Sequence, residues 1–446
     1  MAETHLTERY PRYTSFPTAP HFHAGVDGET YAEWLYNLPP DRDISLYIHV
    51  PYCDSLCWFC GCHTKVTNRA GPVTRFVTTV SAEASLVAEA MGRKPRLSHL
   101  HFGGGSPTIM GARDIEHLMT SLRGRFTIDE GTEFAVEIDP RDIDDAKLDA
   151  WAAAGMTRAS IGCQDLDPKV QQAINRFQPF GVIARAVDGL RQRGIKSINI
   201  DLVHGLPYQT VAGLMETVRR ILTLQPDRLA LFGYAHVPAL KPHQRLIPTE
   251  SLPGPSERHI QATAAFDLIV AHGYEAIGLD HFAKPGDTLA TAAAAGKLHR
   301  NFQGYTTDDA GILVGLGPSA IGELPQGYVQ NTPDITAWHK AVAQGSFATA
   351  RGVAISNADR LRRAVIERLM CDYQADVGKI ADRLRLDPTL VNDAWARLAP
   401  LEAAGLVSRH GSHIGIEPTA RALVQKIAAC FDDRFTAPEP MAGRAA

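Results

Sequence analysis

From residue 44 onward, short apolar runs alternate with longer stretches in which apolar positions recur every three or four residues. The apolar runs predict strands at Ile44–Val50, Leu97–Phe102, Phe134–Ile138, Arg158–Ile161, Ser197–Val203 and Arg228–Tyr234. The amphipathic stretches predict helices near Val73–Met91, Ala112–Leu122, Asp144–Ala153, Gly181–Arg193 and Val211–Leu224. Strand followed by helix, repeated, is the signature of parallel strands joined by right-handed crossovers. Six such units predict an α/β fold, either a full or partial β/α barrel or a flat doubly wound sheet. Cys53, a glycine run, Glu137, Gln164, Asp201 and Ala235 each fall at or just after a strand end. A barrel gathers all strand ends around one mouth. An open sheet gathers ligands mainly at its switch point, so the barrel is favoured.

The last quarter reads differently. From Asn357 to Phe435 helical periodicity dominates, as in Leu361–Met370 and Val391–Leu398. A small hairpin follows, with arms in Ala403–Ser408 and His413–Ile416, and then a helix near Ala420–Phe431. Helices followed by a hairpin predict a smaller, mostly helical, winged-helix-like domain over 357–435. With twelve Lys/Arg against eleven Asp/Glu, that domain has no basic surplus for DNA. The Pro/Ala/Gly-rich tail, 436–446, is expected to be disordered.

Composition narrows the class. The 446-residue chain carries 45 Lys+Arg and 49 Asp+Glu, a formal charge of −4, which gives no electrostatic reason to expect nucleic-acid binding. No apolar run is long enough to span a bilayer, and the N-terminus is polar, so a cytoplasmic protein is expected. No heptad or exposed apolar stripe stands out, which predicts a monomer. Four of the seven cysteines, Cys53, Cys57, Cys60 and Cys62, fall within ten residues. A cytoplasmic chain keeps its thiols reduced, so such a cluster points to metal rather than disulfides.

Cys53, Cys57 and Cys60 form C-x3-C-x2-C. A structural zinc site takes four ligands, and no second Cys/His pair follows at a suitable distance. Three closely spaced thiolates suit a 4Fe–4S cluster with one iron open to a ligand. Spacing alone also allows Cys57, Cys60 and Cys62. Gly103-Gly104-Gly105-Ser106 follows the second strand, where glycines admit a ligand close to the backbone and leave N–H donors for a carboxylate. Glu137 suits an amino group or ribose, or serves as a cap or loop acid. Gln164 carries the same ambiguity, and Arg176 is either a carboxylate partner or a solvated helix residue. Asp201 sits in an apolar run, where a buried acid needs a partner or a task. His236 is read as a satisfied loop histidine. The Leu298–Thr307 stretch is either a surface loop or a binding segment that offers cationic, amide and aromatic groups together.

The cysteine run after a first strand resembles the radical S-adenosylmethionine superfamily. Further motifs resemble its oxygen-independent coproporphyrinogen III oxidase (dehydrogenase) family over nearly the whole chain. They are Pro11–Thr18, Cys62, Leu100–Gly105, Ser160–Asp165, Asn199–Leu202, Tyr234–Pro238 and His299–Thr307. The resemblance implies a partial (β/α)6 barrel over 41–350, with residues 1–40 as an extension covering the site. It implies one 4Fe–4S cluster on Cys53, Cys57 and Cys60, and two S-adenosylmethionine molecules. Tyr47, Gly104, Glu137 and Ile321 would contact the first; Phe59, Gly105, Ser106, Gln164, Arg176, Asp201 and Ala235 would hold the second. Ser106 stands where the family has Thr, and His204 where it has an aromatic residue. The implied reaction converts two propionates of coproporphyrinogen III to vinyl groups, with a flavodoxin or ferredoxin as electron donor. Arg9, Arg12 and Arg300 are the candidate partners of the remaining propionates. The competing expectations are a sister enzyme that methylates or opens a porphyrin, a non-catalytic haem-binding protein and a zinc-dependent regulator.

Overall fold

The computed structural model describes residues 10–436. They fall into two units, one made of residues 23–274 and 308–352, the other of the described residues up to 22, from 275 to 307 and from 353 onward.

In the first unit β1 (Ile44–Val50), β2 (Leu97–Gly104), β3 (Glu133–Ile138), β4 (Arg158–Gln164), β5 (Ser197–His204) and β6 (Arg228–Gly233) pair in parallel in that order. Each of these strands buries the apolar residues of at least one face, so they stand out in the sequence, nearly continuously in β1 and at every second position in β5. The crossovers are α1 (Ala70–Met91), α2 (Ala112–Arg125), α3 (Asp145–Ala153), α4 (Phe180–Gln192) and α5 (Val211–Leu222), and α6 (Pro255–Ala271) follows β6. Asp144 caps α3 by accepting from the Lys147 N–H, and Thr210 caps α5 by accepting from that of Gly213. Between sheet and helices, Phe102, Phe134 and Trp151 pack ring on ring, with centroids 5.0–6.1 Å apart. This is the partial (β/α)6 barrel.

The sheet continues past β1 with strands that the hydrophobic pattern did not reveal. β7 (Leu313–Leu316) lies parallel to β1, and β8 (Ile321–Leu324) and β9 (Gly327–Asn331) follow antiparallel. The order in this unit is β9-β8-β7-β1-β2-β3-β4-β5-β6, so β1 is an interior strand. The extension is pinned by Glu83 of α1, only 2% exposed. Its carboxylate accepts from Gly317 N at 2.7 Å and from Asn331 Nδ2 at 2.6 Å.

The second unit contains α7 (Asn357–Asp372), β10 (Gln374–Asp376), α8 (Val377–Leu384), α9 (Asn392–Ala403), β11 (Val407–His410), β12 (His413–Ile416) and α10 (Val424–Ala429). The three strands lie in the order β10-β12-β11. Tyr13 and Phe16 are built into this unit's core, and the Tyr13 hydroxyl donates to Asp432 at 3.1 Å. Residues 299–306, which fall inside the 41–350 stretch by sequence, form a hairpin packed on α7. Tyr305 Oη donates to Met370 O at 2.9 Å, and His299 Nδ1 lies 3.1 Å from Glu367 Oε1. The Leu298–Thr307 segment is therefore half-buried structure, not a free surface loop. Arg9 and the predicted tail beyond Thr436 lie outside the described residues. No helix among the described residues is long and apolar enough to cross a membrane.

Candidate active site

β1 ends at Val50, and Pro51 opens the loop that carries the four cysteines. Backbone bonds tie this loop down on every side. Lys65 N donates to Pro51 O, Thr67 N to Cys53 O and Trp58 N to Ile174 O, at 2.8–2.9 Å. Gly105 N donates to Val50 O at 2.7 Å and Ser106 N to Tyr52 O at 2.8 Å. The Gly104 N–H points to Glu137 Oε2 at 3.2 Å. This corrects one expectation, since the N–H groups of residues 104–106 are not free donors but tie the glycine run to the cysteine loop and to Glu137. The glycines themselves are required. Gly104 has φ +110°, and a methyl group on it would lie 2.7 Å from His49 Nδ1. A methyl on Gly105 would lie 2.5 Å from Tyr52 O and 2.6 Å from Thr64 Oγ1.

Each sulfur of Cys53, Cys57 and Cys60 accepts a hydrogen bond. Thr64 Oγ1 donates to Cys53 Sγ at 3.1 Å, and Cys62 N to Cys60 Sγ at 3.4 Å. Arg141 Nη2 and Arg176 Nη1 approach Cys57 Sγ at 3.6 and 3.5 Å. Hydrogen bonding from Cys62 brings the Cys60 thiol down, whereas burial pushes Cys53 up to about 12 against the bond from Thr64. Cys57 is buried and Cys62 is exposed. A donor aimed at every one of these sulfurs is what thiolates on an iron–sulfur cluster require, so the residues fit such a group.

Glu137, at the end of β3, also reaches His101 Nε2 at 3.2 Å. Tyr47 lies beside His101 in the β1–β2 register and bonds His49 Nδ1 at 3.1 Å. His49 Nε2 lies 2.8 Å from His63 O, which makes Nε2 the protonated nitrogen and Nδ1 the acceptor for Tyr47. On the other side of β1, Gly315 is in register with Tyr47 and abuts the backbone of Ile321, so Tyr47 and Ile321 share one corner. Gln164 takes φ +68° where the β4–β5 register breaks, a strained conformation of the kind that collects at binding sites. Asp201 accepts from Ser160 Oγ at 3.0 Å and from Asn199 Nδ2 at 2.7 Å.

Arg176 is not a solvated helix residue. It is 7% exposed and lies beyond the short helix Pro168–Ala173. It donates to Gly162 O at 2.7 Å, Gln178 Oε1 at 3.1 Å and Asp139 Oδ2 at 3.1 Å. Asp139, buried beside Arg176 and Arg141, is held at about 2 by those cations against the opposing effect of burial. His236 is the satisfied loop residue expected, with Nδ1 2.9 Å from Tyr234 Oη.

Three supporting residues had no signal in the sequence. Gln244, 1% exposed, donates to Phe59 O at 3.0 Å and Ala235 O at 3.3 Å and accepts from Val237 N at 2.6 Å. His243 Nε2 reaches Cys60 O at 2.8 Å, and Lys241 Nζ donates to Cys62 O at 3.1 Å. This segment clamps the cysteine loop to the end of β6 and so brings Phe59 and Ala235 together. Gln244→Leu is expected to cost about 2 kcal/mol by leaving these groups unpaired. Limited proteolysis should then cut the 236–247 segment faster than in the wild type, and an unchanged cleavage rate would mean that the clamp carries no load.

In the second unit, Arg300 Nε and Nη2 donate to Arg12 O at 3.3 and 3.2 Å, and its guanidinium lies 4.4 Å from the centroid of Tyr305. Arg300 Nη1 is buried without a partner among the described residues. Asp280, although buried, is held below the usual carboxylate range by His281, Arg300 and Arg12. Arg12 and Arg300 are thus brought together.

The Radical SAM superfamily model matches residues 47–221, from the Tyr47 corner through α5. The oxygen-independent coproporphyrinogen III oxidase of Bradyrhizobium diazoefficiens is 47% identical over 432 residues, covering 97% of this chain and 96% of that protein. The protein of the same name from Paracoccus denitrificans is 46% identical, covering 95% and 94%. The solved structure of the coproporphyrinogen III oxidase of Escherichia coli, described as a radical SAM enzyme, superposes with a TM-score of 0.91 at 35% identity, over 96% of this chain and all of that one. With the cysteine loop, the glycine run and the strand-end acids in place on this barrel, the chain belongs to the oxygen-independent coproporphyrinogen III oxidase family of radical SAM proteins.

Proposed function

We infer that the chain carries out the reaction of its family, the oxygen-independent oxidative decarboxylation of coproporphyrinogen III to protoporphyrinogen IX. Each of two propionates loses a β-hydrogen atom, carbon dioxide and one electron, the last to an external acceptor, to leave a vinyl group. The observation that carries this reading furthest is the 47% identity to a coproporphyrinogen III oxidase over 97% of the chain. When bound, the cluster and S-adenosylmethionine supply a carbon-centred radical able to take hydrogen from an unactivated carbon.

The chain's own residues bind and orient. Cys53, Cys57 and Cys60 hold the cluster; the donors on their sulfurs support this triad over the one that includes exposed Cys62. Tyr47, Gly104, Glu137 and Ile321 surround one S-adenosylmethionine, with the Glu137 carboxylate fixed by Gly104 N and His101 to receive an amino group. Phe59, Gly105, Ser106, Gln164, Arg176, Asp201 and Ala235 hold a second. There the Gln244 clamp sets Phe59 against Ala235, and Asn199 and Ser160 orient the Asp201 carboxylate. Arg12 and Arg300 pair with propionates that do not react, Arg300 through its unpartnered Nη1. Arg9 belongs to the same proposal on sequence grounds. The electrons come from a flavodoxin or ferredoxin, and the chain acts as a cytoplasmic monomer.

The test is an anaerobic assay of cluster-reconstituted protein with coproporphyrinogen III, S-adenosylmethionine, a strong reductant and an electron-accepting extract. Protoporphyrinogen and 5′-deoxyadenosine are expected together, and both are expected to vanish in Cys57→Ser. 5′-Deoxyadenosine without any decarboxylated porphyrin would move the assignment to a sister enzyme acting on another substrate.

A further inference from the structure

Among the three thiols, Cys57 alone accepts its hydrogen bonds from cations. Cys53 meets a hydroxyl and Cys60 a backbone N–H, whereas buried Cys57 is approached by two guanidinium groups. Both are held by one carboxylate. Arg141 grips Asp139 through Nε at 2.9 Å and Nη2 at 2.6 Å, and Arg176 through Nη1 at 3.1 Å. Two guanidiniums share this one carboxylate beside one sulfur, largely out of water, with the Asp54 carboxylate acting on Arg141 from further off. Arg176 has further anchors in Gln178 and Gly162. Arg141 has none of that kind, and its bonds to Asp139 and Cys57 are the ones that place it.

We propose that Arg141, held by Asp139, is a positioning residue that sets the reduction potential of the cluster through Cys57. Adding an electron to a cluster adds negative charge, and a guanidinium bonded to one of its thiolates stabilises that charge more than it stabilises the oxidised form. Away from water the effect is larger than it would be at a surface. The network thus biases the cluster toward reduction by a donor of modest strength. Asp139 moderates the bias by cancelling one of the two charges. This inference rests on Cys57 being a cluster ligand, and the experiment separates the two ideas.

The measurement is a potentiometric series on the reconstituted full chain, followed by the paramagnetic resonance of the reduced cluster, with iron and sulfide analysed for each variant. Arg141→Gln removes the charge and keeps an amide; its one-electron reduction equilibrium is expected to fall at least tenfold, or 59 mV. Asp139→Asn takes away the carboxylate that the two cations share and is expected to shift the equilibrium the other way. A variant that merely loosens the loop and admits water would move both in the same direction. An unchanged potential in fully loaded Arg141→Gln, or shifts of the same sign in the two variants, would overturn the inference. Should Arg141→Gln fail to load, Arg141→Lys decides: with the charge kept, its equilibrium should stay within threefold of wild type, and a tenfold fall would count against a charge effect. A wild type that loads no 4Fe–4S cluster, or a Cys57→Ser that loads as well as wild type, would instead overturn the ligand assignment beneath it.

Discussion

Gly105→Ala is expected to fold and yet lose at least ten-fold in both bound cluster and 5′-deoxyadenosine formation. The added methyl would stand 2.5 Å from the carbonyl oxygen of Tyr52, a backbone atom that has no rotamer by which to escape. Relief has to come from moving one strand end away from the other. That movement breaks the bonds from Gly105 N to Val50 O and from Ser106 N to Tyr52 O, which tie the cysteine loop to the glycine run. Overpacking of this kind costs about 1–3 kcal/mol, too little to unfold the barrel but enough to displace Cys53 from its partners. Gly61→Ala is the control, because a methyl there meets nothing within 4 Å although Gly61 lies in the same loop. Iron analysis and product formation, measured beside far-UV circular dichroism, check the expectation. A Gly105→Ala protein that loads like Gly61→Ala would show that the two tethers do not govern the loop.

The second large effect is on stability. Burial pushes the Glu83 carboxyl up to about 7, against the bonds it accepts from Gly317 and Asn331. A carboxyl whose folded value lies above its unfolded one favours the fold while it is protonated. That contribution is fully present below about pH 4.5 and is lost as pH rises through 7. At 1.36 kcal/mol per unit the whole window amounts to about 3 kcal/mol, of which about 2 kcal/mol falls between pH 5.5 and 8. Asp165, raised to about 6 by burial, adds a term of the same sign. Glu83→Gln should therefore be less stable than wild type at pH 5.5, because one amide cannot accept from both neighbours. The gap should narrow by about 2 kcal/mol at pH 8, read as converging melting temperatures. Glu83→Ala leaves both donors buried and unpaired and should cost about 3 kcal/mol at pH 5.5, a gap that narrows by the same amount at pH 8. A gap for Glu83→Gln that stays constant or widens with pH would show that Glu83 is ionised throughout.

What could be read from the sequence follows from how each element is buried. The six barrel strands each bury the apolar residues of at least one face, so those residues, nearly continuous or at every second position, announce them, and β1 falls at Ile44–Val50 as predicted. Strands β7, β8 and β9 stayed hidden because they are short and carry Gly315, Gly322 and Gly327, residues that dilute any hydrophobic signal. Among the candidate residues, those that follow a strand end directly can be picked out by position, as with Glu137, Gln164 and Asp201. Gln244, His243 and Lys241 could not, because their partners lie some 180 residues earlier in the chain. Arg141 is invisible for a different reason: only the fold turns Asp139 inward and so shows what that arginine is gripping. The glycine run stands out in the sequence, but its N–H groups are taken up by Val50, Tyr52 and Glu137 and not left for a ligand. Pattern shows where a residue sits along the chain, and the pairing of backbone donors is settled only by folding.

The interior place of β1 bears on how the protein survives damage. The cysteine loop leaves from a strand held between β7 and β2, and its own backbone is tethered by Lys65, Thr67, Trp58, Gly105 and Ser106 without recourse to metal. Small metal-folded domains collapse when their ion is removed, because the ion is their core. Here the frame stands apart from its cargo. After a cluster is destroyed by a burst of oxygen these bonds are expected to keep the loop in place, so that recovery calls for a fresh delivery of iron and sulfide rather than a new polypeptide.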